Sequence, residues 1–543
     1  MLRKVQMSFT RKSVHQNIFY LLLGVLVCAM PTSKFLMSAT MIFLGANWLI
    51  EGRFREKWEI ARGNKVLWAF VVLYVVHLLW CWTPFNTHCN WDYALDDLRK
   101  KLPLIVIPIV VLTSDFLDRR KIALLLQFFC LTVAVASVVG ITRYLGSADM
   151  DYRNMFPHFS HIRFALNVCL AMVLLLYALY KIYNRKDLKY RWLRMLAIVL
   201  LEAIYCIVLM LLQSYTAFVI LSVVFVVLLG WIAVRKKSRP IYPIAFFAVL
   251  TMVVLAAWLC FSHYYSNYYT LSELSSKPLA THTAQGNAYT HANDGFIEMG
   301  NYTNNYVCDT ELRSQWAKRS TLDIDSLTPN TFAVYPTLVR YLNAKGLTKD
   351  SVGVSQLTDK DIALIEQGVA NPHYTSNFGL GKMFYRIFFE YECYKKTGLV
   401  KNSSFFQRLT LWQNGLDVFN RYPMGCGTGN VADAVELDLF KHHPELADSG
   451  LRTHNQFITF LFTFGIVGFG IILFVFVWAI RKHRLLSSAV FVAYLCIALV
   501  SFLGEDTLET EAGVVFFALM FSLLSLLART SADGGESPLD VID

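Results

Sequence analysis

The chain has 543 residues, 55% of them hydrophobic and 15% aromatic, and carries a formal net charge of +11. Only 16% are charged, against roughly 25% in soluble domains. That balance excludes a disordered, collagenous or small disulfide-framework protein and points to one that crosses a membrane many times, so the location of the positive charge becomes the question.

Twelve apolar runs approach the roughly 20 residues that a spanning helix needs. They cover 16–30, 34–50, 65–82, 102–113, 121–143, 163–182, 193–211, 215–234, 241–261, 455–480, 486–503 and 512–528. The first follows a basic stretch (Arg3, Lys4, Arg11, Lys12) and ends at the small residues Val27 and Ala29, as a signal peptide does. With so many spans behind it, we read it as a retained helix. The fourth is short and holds Pro103 and Pro108, which mark it as broken or re-entrant. The seventh and eighth form one apolar block, divided at Gln213-Ser214-Tyr215-Thr216.

Lys and Arg set the orientation. With the N-terminus cytoplasmic, the cytoplasmic segments hold 26 basic residues and the short outer segments 7, and the bias alternates without a break. Both termini are expected inside. The remaining 17 basic residues lie in 262–452, a polar stretch with no spanning run, expected to face outward and to fold as a mainly helical domain. The layout is then 1–261 (spans 1–9), 262–452 (extracytoplasmic domain), 453–528 (spans 10–12) and 529–543 (cytoplasmic tail). The expected fold is an all-α polytopic membrane protein with about twelve transmembrane helices. The +11 becomes a record of orientation, and no nucleic-acid partner is expected. Nine spans followed by three lack the matched halves of secondary transporters.

Seven of the eleven cysteines lie in spans, where Cys packs as a small hydrophobe. Cys89, Cys308, Cys393 and Cys426 face the oxidising side, and spacing does not fix any pairing among them. No zinc spacing occurs, and no metal site is expected. The triplets Asp323/Asp325 and Asp359/Asp361 match the pair that metal-dependent glycosyltransferases use, but read better as turn and helix-start acids, with Thr358 opening a helix. Glu202 falls mid-span, where a carboxylate is a functional candidate, or else pairs with a polar neighbour or is protonated.

Chemistry concentrates between Ser403 and Gly468. Leu409, Trp412, Leu416 and Phe419 recur at three- and four-residue spacing and predict an amphipathic helix with Arg408 in its first turn. The helix dipole opposes a cation there, so Arg408 is expected to serve an anion held at the helix start. Pro423-Met424-Gly425-Cys426-Gly427-Thr428-Gly429 follows, with glycines that permit positive φ and close backbone approach to a ligand. Arg452-Thr453-His454-Asn455 then opens span 10, which continues to Gly465 and Gly468.

Arg408…Trp412…Pro423-x-Gly-x-Gly-x-Gly429, then His454-Asn455 before Gly465-Ile466-Val467-Gly468, resembles the signature of the O-antigen ligase/polymerase family. The span layout with its large outer loop is similar across the whole chain, and Arg340-Tyr341-Leu342-Asn343 with Lys345-Gly346-Leu347 resembles bacterial O-antigen ligases. The resemblance implies a GT-C-like glycosyltransferase in the bacterial inner membrane, working with neither metal nor cofactor. Such enzymes take a glycan from undecaprenyl pyrophosphate and move it, on the periplasmic face, to lipid A-core (ligases), another carrier-linked repeat (polymerases) or a protein hydroxyl (relatives).

On that resemblance Arg408 is the catalytic, pyrophosphate-binding arginine. Arg163, at the outer end of span 6, is a further donor contact or an interfacial side chain that snorkels. Arg452 is a second phosphate contact or an ordinary basic flank. His454 is the general base, imidazole having an ordinary pKa of about 6.5, or a cationic donor to the diphosphate. Gly425, Gly427, Gly429 and Asn455 form the loop that approaches substrate, and His158 and His161 are further candidates. The acids Glu505, Asp506, Glu509 and Glu511 either orient an arginine or His454 or, as we read them, form a solvated negative loop. A transporter of lipid-linked glycans is the reading from a different class. Glu202 and the broken fourth span suit it, but it does not explain an outer segment of about 190 residues.

Overall fold

The computed structural model describes residues 11–82, 89–146, 155–157, 160–292, 294–375, 379–398, 400, 403–447 and 450–533. It is mainly helical, since a chain facing lipid must pair its backbone N–H and C=O groups within itself. In chain order the helices are α1 Arg11–Ala29, α2 Lys34–Glu51, α3 Phe54–Gly63, α4 Lys65–Leu79, α5 Trp91–Lys101, α6 Pro103–Leu112, α7 Arg119–Gly146, α8 His161–Asn184, α9 Arg191–Leu211, α10 Tyr215–Arg235 and α11 Ile241–Tyr269. Then come α12 Glu273–Ser276, a two-stranded antiparallel ribbon (β1 Ile297–Glu298, β2 Asn301–Tyr302), α13 Asp309–Trp316, α14 Val334–Ala344, α15 Ser351–Ser355, α16 Asp359–Glu366 and α17 Leu380–Thr397. The last are α18 Ser404–Arg421, α19 Val431–His442, α20 Gln456–Lys482, α21 Ala489–Gly504 and α22 Glu511–Asp533.

All twelve apolar runs form helix, but their lengths correct the span count. Among the described residues nine helices are long and apolar enough to cross a membrane, and α2 with α3, bent by 114°, makes a tenth if the pair counts as one span. The fourth run is the short α6 of 10 residues. At 1.5 Å per residue it is about 15 Å long, half the hydrocarbon thickness. Pro103 separates it from the polar α5, which is the expected break. The eleventh run, α21, has 16 residues and is also short.

The chain packs as two units, residues 1–246 with 411–543, and residues 247–410. In the first, α22 is the central helix, with 83% of its most apolar stretch buried. Phe70 of α4, Phe476 of α20 and Phe491 of α21 set ring edges against Phe521 of α22 at centroid distances of 5.4, 5.6 and 5.2 Å. Each such pair is worth about 0.5–1.5 kcal/mol beyond its area.

In the second unit Leu312, Trp316, Leu338, Leu342 and Ile365 form the core. Arg340 forks onto the buried Glu298 through two contacts of 2.9 Å, and Asn343 donates to the Glu298 carbonyl at 2.9 Å. The Arg340–Asn343 run therefore ties α14 to β1. Both Asp-x-Asp triplets are turn and cap residues, as expected. The Asp325 amide donates to Asp323 Oδ1 at 2.7 Å, and Thr358 caps α16 in a capping box with Asp361. All eleven cysteines are free thiols.

Candidate functional site

The apolar run after Asn455 becomes α20 because Asn455 caps it. Its side-chain oxygen accepts the amides of Phe457 at 3.0 Å and Ile458 at 3.1 Å, two of the four that a helix start leaves open. The preceding residue, His454, is left-handed, with φ 51°, a conformation that costs a residue with Cβ roughly 1–2 kcal/mol. Asp506 holds it there. Its buried carboxylate accepts the amides of His454 at 2.8 Å and Asn455 at 3.1 Å, and the hydroxyls of Thr459 at 2.8 Å and Thr453 at 3.3 Å. Burial, with Glu509 adding, raises the Asp506 carboxyl above its ordinary value despite these donors. The turn sets His454 Nδ1 3.5 Å from Glu505 Oε2, and the imidazole keeps 34% of its surface exposed.

Beside this turn lies a buried charge cluster. Lys101, at the end of α5, donates to both oxygens of Asp97 at 2.7 and 2.8 Å and to Glu509 Oε2 at 2.9 Å. Arg452 reaches the same oxygen at 3.2 Å, and Gln456 donates to Oε1 at 3.1 Å while accepting the Leu508 amide at 2.7 Å. Burial opposes ionisation of Glu509, but Lys101 and Arg452 more than offset it and hold its carboxyl below the ordinary value. Asp97, also buried, is pushed above its ordinary value despite Lys101.

Arg163, near the start of α8, is 7% exposed. It donates to Thr507 Oγ1 and to the Asp506 carbonyl, both at 3.0 Å. It does not snorkel, because its hydrogen-bond partners lie inside the protein. The same contacts correct the solvated-loop reading of the acids. Glu505, Asp506 and Glu509 are buried, and Glu511 bonds Ser38. Glu509 holds Arg452, and Asp506 with Glu505 holds the His454 turn, the alternative that the sequence also offered, whereas Arg163 is held by the Thr507 hydroxyl and the Asp506 main chain. Sequence reasoning missed Lys101 and Asp97. Their spacing on α5, a like-facing i,i+4 pair, was the available signal.

The glycine loop packs against α20. α20 breaks at Gly465, where φ 64° and ψ −174° are open essentially to glycine alone. The break frees the Phe462 and Thr463 carbonyls, and the loop takes them. Cys426 N–H donates to Phe462 O at 2.8 Å, Gly427 N–H to Thr463 O at 3.0 Å, and Ile466 N–H to Pro423 O at 3.1 Å. A Cβ on Gly425 would lie 2.4 Å from Thr463 O, and one on Gly465 2.2 Å from the Met424 carbonyl carbon. One on Gly429 would lie 2.4 Å from Cys89 Sγ. The close approach these glycines permit is therefore to α20 and to Cys89, and Asn455 likewise serves as a helix cap.

The helix carrying Arg408 starts at Ser404, with Ser403 as its cap: the Ser403 hydroxyl accepts the Phe406 amide at 3.1 Å. Arg408 is therefore past the first turn, where the dipole acts most strongly, and is partly buried. The predicted apolar face is also rotated. Leu411, Asn414, Gly415 and Val418 are buried, whereas Leu409 and Leu416 are exposed. Gly415 sets the contact, because a Cβ there would lie 2.6 Å from Ile458 Cγ2. His161 opens α8, and His158 lies outside the described residues.

A cavity of about 250 Å³ adjoins the turn, lined by Tyr93, Val435, Glu436, Leu439, Arg452 and Glu509 among others. Burial, reinforced by Glu509, pushes the Tyr93 phenol up to about 12, so it stays a hydrogen-bond donor at neutral pH. The hollow therefore offers a cation, Arg452, and a phenol, Tyr93, and its wall includes Thr453, the residue before the carboxylate-backed imidazole of His454. Residues 393–473 match the O-antigen ligase family model. The match supports membership of that family and a glycan-processing function. It covers Arg408, the glycine loop, Arg452 and His454, while Lys101, Arg163 and the acids of 505–509 fall outside it. No curated protein matches the chain.

Proposed function

We propose that this chain is an O-antigen ligase-like glycosyltransferase, moving a glycan from undecaprenyl pyrophosphate to lipid A-core on the periplasmic face of the bacterial inner membrane. The reaction uses no metal ion. The observation that carries this reading is the His454 turn, clamped by Asp506 and backed by Glu505, inside the matched segment. The acceptor hydroxyl attacks the anomeric carbon, the bond from that carbon to the pyrophosphate oxygen breaks, and its electron pair leaves with the pyrophosphate. His454 takes the hydroxyl proton, and Glu505 steadies the imidazolium that results.

The leaving group gains charge, which guanidinium donors stabilise by about 3 kcal/mol each. Arg452 suits this role. One of its nitrogens is fixed by Glu509, and the others carry no hydrogen bond among the described residues, so the fork can take phosphate oxygens. Lys101 and Arg163 act as scaffold, because their donors are turned to Asp97, Glu509, Thr507 and Asp506. Arg408 enters on the motif as a second pyrophosphate arginine. The segments that supply Lys101, Arg163, Arg452 and Glu509 are those that the positive-inside rule puts outside.

Purified protein in detergent, given a carrier-linked glycan and lipid A-core, should transfer the glycan with no gradient present. His454→Asn, whose side chain tolerates the left-handed backbone, and Arg408→Ala should each abolish transfer at wild-type expression. Full activity in both would overturn the assignment. Offering a carrier-linked repeat or a peptide as acceptor distinguishes the polymerase and protein-glycosylating forms of the same chemistry.

A further inference from the structure

A larger cavity lies away from the His454 turn, among α7, α8 and α9 with the start of α21 and the end of α22. Its volume is about 580 Å³, within the roughly 300–1,000 Å³ of ligand pockets. Along α7 its wall runs from Arg119 to Leu131. Twelve residues at 1.5 Å each give about 18 Å, close to one leaflet of a hydrocarbon layer about 30 Å thick. Leu124, Leu131, Leu174 and Ile198 make the deep walls apolar. Arg119, Arg120 and Arg194 are the charged residues lining it, and no carboxylate does.

The three arginines stand in the first turns of α7 and α9, neither of which has an acid in that turn. A helix start disfavours cations and favours anions. Asp118 caps α7 through the Lys121 amide at 2.8 Å and pairs with the Lys121 side chain at 3.8 Å. α9 has no side-chain cap, beginning after Tyr190. The positive-inside rule accounts for the sign of these residues, but not for their convergence on one cavity. Charge at one end, then apolar walls for one leaflet's depth, is the complement of an amphiphile rather than of a free anion.

We propose that this cavity binds one anionic glycerophospholipid from the leaflet on the basic-loop side. Its phosphate sits among Arg119, Arg120 and Arg194, and one acyl chain runs along α7 and α8. The purified full-length chain is titrated in detergent with dioleoyl phosphatidylglycerol or dioleoyl phosphatidylcholine, and bound lipid is counted by native mass spectrometry. One phosphatidylglycerol per chain is expected, with phosphatidylcholine retained far less. The pair R120Q/R194Q should weaken phosphatidylglycerol retention about 30-fold, each basic residue near a headgroup contributing about fivefold. Ala178→Phe, which fills the cavity without changing charge, should also lower retention, and serves if the arginine pair does not fold. Equal retention of the two lipids, retention untouched by either variant, or displacement by equimolar inorganic phosphate would each overturn the proposal.

Discussion

Asp506→Asn tests the central claim, that Asp506 exists to hold His454 in an unfavourable backbone conformation. Among the described residues Oδ1 accepts from Asn455, Thr459 and Thr453, whereas Oδ2 accepts only from His454. An asparagine keeps most of its bonds by placing its oxygen at the Oδ1 position. Its NH2 then faces the His454 amide, donor against donor. The loss is one charge-assisted hydrogen bond, about 1.5–3 kcal/mol, at a residue that already bears roughly 1–2 kcal/mol of left-handed strain. We expect the turn to relax and the imidazole to move by about 1 Å, which costs on the order of 100-fold in rate. The assay is the initial rate of glycan transfer beside the thermal midpoint in detergent. A stability loss of about 2 kcal/mol shifts the midpoint by only a few degrees in a chain this size, so the two readouts separate. Wild-type rate in Asp506→Asn would refute the reasoning, as would a rate loss no larger than the loss of folded protein.

Gly465→Ala should destabilise the first unit by about 2–5 kcal/mol, combining a glycine-only backbone with overpacking against Met424; an unchanged melting curve would contradict the proposed loop contact. Glu509→Gln should raise KM for the lipid-linked donor more than it lowers kcat, because Arg452 loses its anchor; a pure kcat defect would argue against that role. Lys349 is buried against Asn343 Oδ1 at 2.7 Å, and burial lowers its ammonium to about 7 despite Glu298. Between pH 7 and about 9.5 the unfolded chain keeps that proton and the folded one releases it, so stability should rise with pH across this window. Lys349→Met should flatten the rise, as read from thermal midpoints at each pH.

The elements that the sequence made legible are those with local causes. Long apolar runs became helices because lipid leaves no alternative, and Thr358 sits where a side-chain cap forms. Features that depend on distant partners were not legible. Glu509 and Lys101 are 408 residues apart in sequence, and an acid between two spans looks solvated until its cation is known. The α18 face failed for a different reason. Near a membrane, apolar periodicity marks lipid or the interface as readily as a protein core, because lipid tails are as apolar as leucine. The buried side of α18 instead carries Asn414, bonded to Asp438 at 3.0 Å, and Gly415. The motif glycines were visible, but the carbonyls they cover exist only because α20 breaks.

The charge around the turn limits how a pyrophosphate donor can be attracted. Asp97, Glu505, Asp506 and Glu509 outnumber Lys101, Arg163 and Arg452, so the cluster is no basin of positive potential. A broad electrostatic pull would in any case be screened within about 8 Å at physiological salt. What makes an anion tolerable there is that the carboxylates are already engaged. Asp506 accepts from four donors, and Glu509 from Lys101, Arg452 and Gln456. Their negative charge is turned toward backbone amides and scaffold cations, which leaves the open nitrogens of Arg452 as directed donors. On the proposed chemistry this favours the transition state over the resting donor. A fixed guanidinium gains most from the charge that develops as the sugar–phosphate bond breaks, whereas a diffuse positive field would bind the uncleaved carrier almost as well.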